Sequence, residues 1–318
     1  MPHPTPLNIG PAGADGPAGA PGPSGADEWT LSMYGTGADG VVDLNGVNTF
    51  SYMSKVGNVY TLMRDMRATD VTVRAGCTLV KRYILYARGT LVVEATGVIH
   101  DNGASTVNVS AGGATGPGTR RPESLGVAGA VGRTTTIAGN GGIASSNSYG
   151  AASGSGGSSG MGQSGGAGVA AALPAGTLDT LRGPGYLSTL LLQSGTTWAA
   201  ANGGSGGGSG GMNVTLGGGE SGGGGGGAPV SALFARVIEN AGSITNNGGA
   251  GGNAYSLVAG AGGGGGGGGG GYLIIVTDSE LPLGGTVTSN GGLGGSGYNG
   301  GTNGTNGTNG TVDYRRSS

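Results

Sequence analysis

The sequence predicts a mainly β protein with irregular glycine-rich regions, and three observations predict it. Glycine supplies 82 of 318 residues, it recurs at every third position from Gly10 to Gly25, and short β-branched runs punctuated by glycine fill residues 28–112. The expected architecture has a collagen-like N-terminal stem and a small β-solenoid or β-sandwich block. The C-terminal region is either extended in the manner of polyglycine II or looped. Winding of the stem makes the molecule a homotrimer.

The glycine content sets the physical problem. Ordinary chains carry glycine at about 7%, and each glycine loses more backbone entropy on folding than other residues while bringing no side chain to bury. Such a chain cannot rest on one large hydrophobic core. It needs backbone hydrogen bonds, repeated turns and neighbouring chains. Charged residues are 9% of the chain and the formal net charge is −2, which gives no electrostatic footprint for nucleic acid or an anionic membrane. Runs rich in Gly, Ser, Thr and Asn replace the roughly 20 consecutive apolar residues of a membrane span, so no membrane insertion is expected. The N-terminus, MPHPTPLNIGPAG, lacks a basic start and an apolar stretch, and synthesis in the cytoplasm without a signal peptide is expected.

The chain divides into six segments. Residues 1–9 read as an extended arm. Residues 10–27 carry the triplets GPA GAD GPA GAP GPS GAD, with Gly10, Gly13, Gly16, Gly19, Gly22 and Gly25 at the position that only glycine fits in a triple helix. At 3.1 Å per residue this stem would span roughly 55 Å; the competing reading is a disordered linker. Residues 28–112 form the strand-rich block, with expected strands at Val71–Val73, Thr78–Val80, Tyr83–Ala87, Thr90–Val93 and Val98–Ile99. Residues 113–221 are rich in Gly, Ser and Ala, and the stretch 183–202 with Tyr186, Leu190 and Trp198 reads as an apolar plug.

Residues 222–300 repeat one unit: a glycine run, an apolar strand, then Asn-Gly. The strands are Leu233–Ile238 and Tyr272–Thr277. Four Asn-Gly pairs follow a β-branched residue at fixed spacing: Asn102-Gly103, Asn140-Gly141, Asn247-Gly248 and Asn290-Gly291. Asn-Gly favours turns with positive φ, so each pair is expected to be a tight corner. The glycine runs are expected to pack as a three-fold extended bundle or close-packed loops, with flexible linkers as the alternative. Residues 301–318, opening GTNGTNGTNGT, restore the three-residue glycine period.

Chemistry-bearing constellations are sparse. His100 precedes Asp101, but no nucleophile elbow accompanies them. Asp39 and Asp43 faintly suggest a calcium loop, without the later ligands that such a loop needs. Cys77 is a lone cysteine, expected as a small buried residue on a strand. The expected protein is not an enzyme, and neither cofactor nor metal is assigned.

The segment YGTGADGVVDLNG and then TLMRDMRATDVTVRAGCTLVKRYILYARGTLVVEATGVIHDNGA resembles glycine-rich tail proteins of bacteriophages. Leu62, Arg64, Asp65, Gly76, Thr78, Leu79, Gly89, Thr90, Leu91, Asn102 and Gly103 stand at the matching places, and Gly262–Thr277 is also similar. Collagen-like triplets are common in phage minor tail proteins as well. The resemblance implies a virion component of the tail fibre or tip, trimeric, concerned with host-surface attachment. Its partners would be itself, other tail or baseplate proteins, and a host cell-envelope glycan or protein. The alternative reading is a cellular glycine-rich surface or matrix protein, and an enzyme such as a polysaccharide depolymerase comes last.

Overall fold

The computed structural model describes residues 33–103, 105, 221–255, 261–280 and 283–316. The arm, the stem glycines Gly10 to Gly25, the Asn140-Gly141 pair and the 183–202 plug lie outside the described residues. Among the described residues the fold is mainly β, with two sheets built from thirteen strands.

The strands are β1 (Val41–Leu44), β2 (Met53–Val56), β3 (Val59–Leu62), β4 (Met66–Ala68), β5 (Asp70–Val73), β6 (Thr78–Val80), β7 (Leu85–Val93), β8 (Val98–His100), β9 (Val230–Asn240), β10 (Ser243–Thr245), β11 (Tyr272–Val276), β12 (Thr286–Thr288) and β13 (Thr311–Arg315). One sheet runs β1-β5-β7-β9-β11-β13, with β4 also on β7; the other runs β12-β10-β8-β6-β3-β2. All pairings are parallel except the β2–β3 hairpin. From β5 onward the chain crosses from the first sheet to the second and back, so it coils. A solenoid-like course, the first of the two expected forms of this block, follows from that alternation.

Side chains hold the coil together. Pointing inward, Tyr60, Leu79, Ile99, Ile244 and Val287 stack in register along the second sheet. Val42, Val71, Leu91 and Ile238 do the same on the first. The two rows belong to one buried cluster, in which each large aliphatic contributes about 1.5–3 kcal/mol. Strand β11, YLIIV, is buried at every position, because Leu273 and Ile275 face this core while Tyr272, Ile274 and Val276 join a second cluster on the opposite face with Phe234, Tyr86 and Tyr34. A continuous apolar run is what a strand covered on both faces requires.

The expected strands at Tyr83–Ala87 and Thr90–Val93 are a single strand, β7, interrupted by a bulge. The register shifts between Ala87 and Thr90, and the bulge is pinned by Gly89 N–H donating to Thr69 O and Thr90 N–H donating to the Asp70 carboxylate, each at 2.7 Å. A Cβ at Gly89 would meet that carboxylate, which would have to turn away and release Thr90 N–H. Strands β1 to β4 and β13 were not expected from the sequence.

At one end of the coil the corners stack. Val98 N–H donates to Cys77 O, Ser243 N–H to Gly97 O, and Thr286 N–H to Gly242 O. Arg74 ties this end together by pairing with Asp43 and Glu94 at 2.9 and 2.8 Å. Cys77 is buried as expected, but it lies in the corner just before β6 and not on a strand.

Candidate functional site

At the opposite end the early and late turns of the coil differ. Between β6 and β7 the chain returns directly through Lys81–Ile84. After β8, β10 and β12 it instead continues outward. The intervening glycine-rich stretches form five extended rods: g1 (221–229), g2 (246–254), g3 (261–271), g4 (289–297) and g5 (301–310). Rods g1, g3 and g5 lead into β9, β11 and β13, while g2 and g4 leave β10 and β12.

Their hydrogen bonds repeat every third residue. The N–H groups of Gly222, Gly225 and Ala228 donate to the carbonyls of Gly263, Gly266 and Gly269; those of Gly264, Gly267 and Gly270 donate to Thr302, Thr305 and Thr308. Between antiparallel rods, Gly265 and Gly268 donate to Gly252 and Gly249, and Gly304 and Gly307 donate to Gly295 and Gly292. A three-residue period directs successive amides to different neighbours, the geometry of a three-fold extended helix.

The rods approach so closely that side chains are excluded where they meet. A Cβ on Gly264 would lie 2.5 Å from the carbonyl carbon of Gly295, and one on Gly265 2.5 Å from that of Gly223. Where a rod faces solvent, side chains return. Rod g3 is glycine from 262 to 271 and buried throughout. Rods g2 and g4 keep two glycines in three and put Ala250, Asn253, Leu293 and Ser296 at the third position. Rod g5, at the edge, keeps one in three and exposes its Thr and Asn residues.

Asn247-Gly248 and Asn290-Gly291 open rods g2 and g4, and neither they nor Asn102-Gly103 turn corners. None of Asn102, Gly103, Asn247, Gly248, Asn290 or Gly291 has positive φ. The expectation of tight corners is therefore corrected for Asn102-Gly103, Asn247-Gly248 and Asn290-Gly291; Asn140-Gly141 lies outside the described residues. The reason is that the asparagine side chain has another use: Asn102 Oδ1 accepts from Asn247 N–H at 2.7 Å, and Asn247 Oδ1 accepts from Asn290 N–H at 2.7 Å. The three asparagines form a ladder across β8, β10 and β12 that caps backbone amides where strand pairing gives way to rods. The same device recurs on g5, where Asn303, Asn306 and Asn309 accept from Gly297, Gly294 and Gly291.

A tight Asn-Gly turn does occur elsewhere. Asn299 and Gly300 have φ of 48° and 84°, and Gly301 N–H donates to Tyr298 O at 3.0 Å, closing the g4–g5 hairpin. Rod g2 is described to Tyr255, g3 from Ala261 and g1 from Ser221. Because g1, g3 and g5 run one way and g2 and g4 the other, the described far ends of the rods, Ser221, Tyr255, Ala261 and the Tyr298–Gly301 turn, lie at one end of the bundle. Sequence reasoning did not single out Tyr255, Tyr298 or Asn299. The signal available was Tyr-Asn-Gly-Gly set between two stretches of period-three glycine.

The remaining candidate residues have structural partners. Asp39 pairs with Arg64 at 2.5 Å and accepts from Arg67 N–H at 2.7 Å; burial opposes its ionisation, but these bonds outweigh it and hold the carboxyl below its usual range. Arg64 also lies over the Tyr52 ring, and Asp65 accepts from Ile84 N–H, so the Leu-x-Arg-Asp motif fastens the hairpin region to the coil. Asp43 pairs with Arg74. His100 is on β8 and its Nδ1 accepts from Asn102 N–H at 3.4 Å, while Asp101 N–H donates to Thr245 O. Lys81 is fully buried where the short return meets the rods. Its Nζ donates to Ala232 O at 2.5 Å, and burial lowers its pKa to about 8, although the charges of Asp101 and Asp65 act to raise it. Among the described residues no group of three or more His, Cys, Asp or Glu side chains is placed to hold a metal.

Comparison with known protein families, with curated proteins and with solved structures finds no match to this chain.

Proposed function

We propose that this chain is a non-enzymatic structural component of a bacteriophage tail, at the fibre or tip, which presents one end to the host cell surface. The observation that carries the reading is that the rods bring their described far ends and the Asn299-Gly300 turn to one end of a stiff bundle. A rod of nine residues at 3.1 Å per residue is about 28 Å long, so this end stands well clear of the coil. Loops held on a rigid scaffold are the usual place for recognition. The resemblance of residues 34–112 to glycine-rich phage tail proteins supports the same assignment.

In this reading the Gly-X-Y stem winds three copies together. Three identical tips then contact a surface at once, and weak single contacts add through effective concentration. Other tail or baseplate proteins hold the molecule in the virion, and the host partner is an envelope glycan or protein. Light scattering on the purified full chain, followed by immunogold location, tests this. The expected mass is three times 29.9 kDa, with label on phage tails. A monomeric mass contradicts the trimer, and labelling of cell walls without particles contradicts the tail assignment in favour of a cellular matrix protein.

A further inference from the structure

We propose that Tyr255 and Tyr298 form a binding platform for an uncharged glycan at the far end of the rods. This inference rests on the attachment reading and names the chemistry of its ligand. The two rings lie 6.4 Å apart, tilted by 45°, and are 42% and 41% exposed. Most of the larger apolar side chains on these turns of the coil are buried, so among the described residues two adjacent exposed rings at the far end of the rods stand out.

The platform is preorganised. Tyr298 N–H donates to Gly262 O at 2.8 Å and Gly262 N–H donates back to Tyr298 O at 3.1 Å, which fixes the g4 end on g3. Asn299-Gly300 closes the turn immediately behind it. On the neighbouring rods Asn253 Oδ1 accepts from Ser296 N–H at 2.7 Å and Asn303 Oδ1 accepts from Gly297 N–H at 2.9 Å. Those bonds fix two exposed asparagine side chains next to the backbone that leads into Tyr298, through their carbonyl oxygens. Little side-chain or loop ordering is left to lose on binding.

The chemistry presented is aromatic face, phenol hydroxyl and primary amide. A saccharide offers the complement, with C–H groups for the ring faces and hydroxyls for the polar groups; tyrosine is suited to such half-apolar, half-wet contacts. Charge selects among the alternatives. No charged residue falls between Asn240 and Thr277 or between Leu283 and Val312, so the rods and the Tyr pair present no field to attract an anionic polymer or a strongly charged protein.

The test uses the full chain as purified and intact bacterial cells as the probe, in untreated, periodate-oxidised and protease-treated forms. The expected result is adsorption to untreated and protease-treated cells, with loss on periodate oxidation. Adsorption should be nearly constant from about 0.05 to 0.5 M salt, since screening weakens only charged contacts. Tyr255→Ala with Tyr298→Ala should reduce adsorption about tenfold or more, while the paired Phe substitutions, which keep both rings, should stay near wild type. Unchanged amide-exchange protection of g3 in the Ala variant shows that the bundle is intact. Adsorption that survives both periodate and the double Ala substitution, or that is lost on protease treatment, overturns the glycan platform while leaving attachment standing. Adsorption to no bacterium overturns the attachment reading itself, and the platform with it.

Discussion

The coil and the rods face one problem, removal of backbone from water, and they solve it with opposite materials. In the coil, β strands are paired at their backbones and the space between sheets is filled by Leu, Ile, Val and Tyr. In the rods, backbone packs on backbone and a side chain is an obstruction. The comparison explains the composition. A rod needs a glycine on each face that meets another rod: one residue in three on the edge rod g5, two in three on g2 and g4, and every residue in g3. The number of glycines per turn reports the number of covered faces.

The difference between the regions can be broken most directly at g3. Gly265→Val places a branched side chain against the backbone of g1, which cannot rotate away, and should cost about 4 kcal/mol or more or prevent assembly of the bundle. Denaturant unfolding checks it, and a loss under 1 kcal/mol would mean that the rods can spread. In the coil the reverse change is the damaging one. Leu91→Ala removes a fully buried side chain and should cost about 3 kcal/mol through lost burial and a cavity.

Lys81 sits at the junction of the two regions, and its titration sharpens the boundary. Its native pKa of about 8 lies below the ordinary 10.5, so between these values the unfolded chain binds more protons than the native one. Stability should therefore rise with pH from about 8 to 10, on the order of 2–3 kcal/mol. Lys81→Met should abolish that slope. Buffered thermal melts of both proteins decide it, and an unchanged slope in the variant would place the effect elsewhere.

Smaller effects are expected where a side chain substitutes for a missing rod. Asn247→Ala removes the acceptor for Asn290 N–H and for Thr288 Oγ1 and should cost about 1 kcal/mol. Smallest of all is Gly300→Asn. Its φ is 84° but nothing crowds the position, and asparagine tolerates left-handed backbone, so the loss should stay below about 1 kcal/mol. The contrast between Gly265 and Gly300 separates glycine needed for space from glycine needed for φ.

Much of this was legible in the sequence, and the misses have physical causes. Strands β5 to β8 announced themselves because β-branched pairs alternate between glycine corners. Strands β1 to β4 did not, since MSKV and MRA carry little apolar alternation and gain their place from partners distant in the chain. Rod g5 showed its period because two of its faces are free for Thr and Asn. Rod g3 could not, as a face covered everywhere leaves ten glycines without phase. The Asn-Gly pairs were misread for a related reason: the dipeptide that suits a turn at Asn299-Gly300 serves as an amide cap and a close contact at Asn247-Gly248, and only the neighbouring rod distinguishes them.

Amide hydrogen exchange across residues 262–271 tests the central claim most directly. Interlocking rods predict that Gly264, Gly265, Gly267, Gly268 and Gly270 exchange as slowly as the amides of β9 and β11, though none of them has a side chain. Exchange of these glycines at the rate of an unstructured peptide would contradict it.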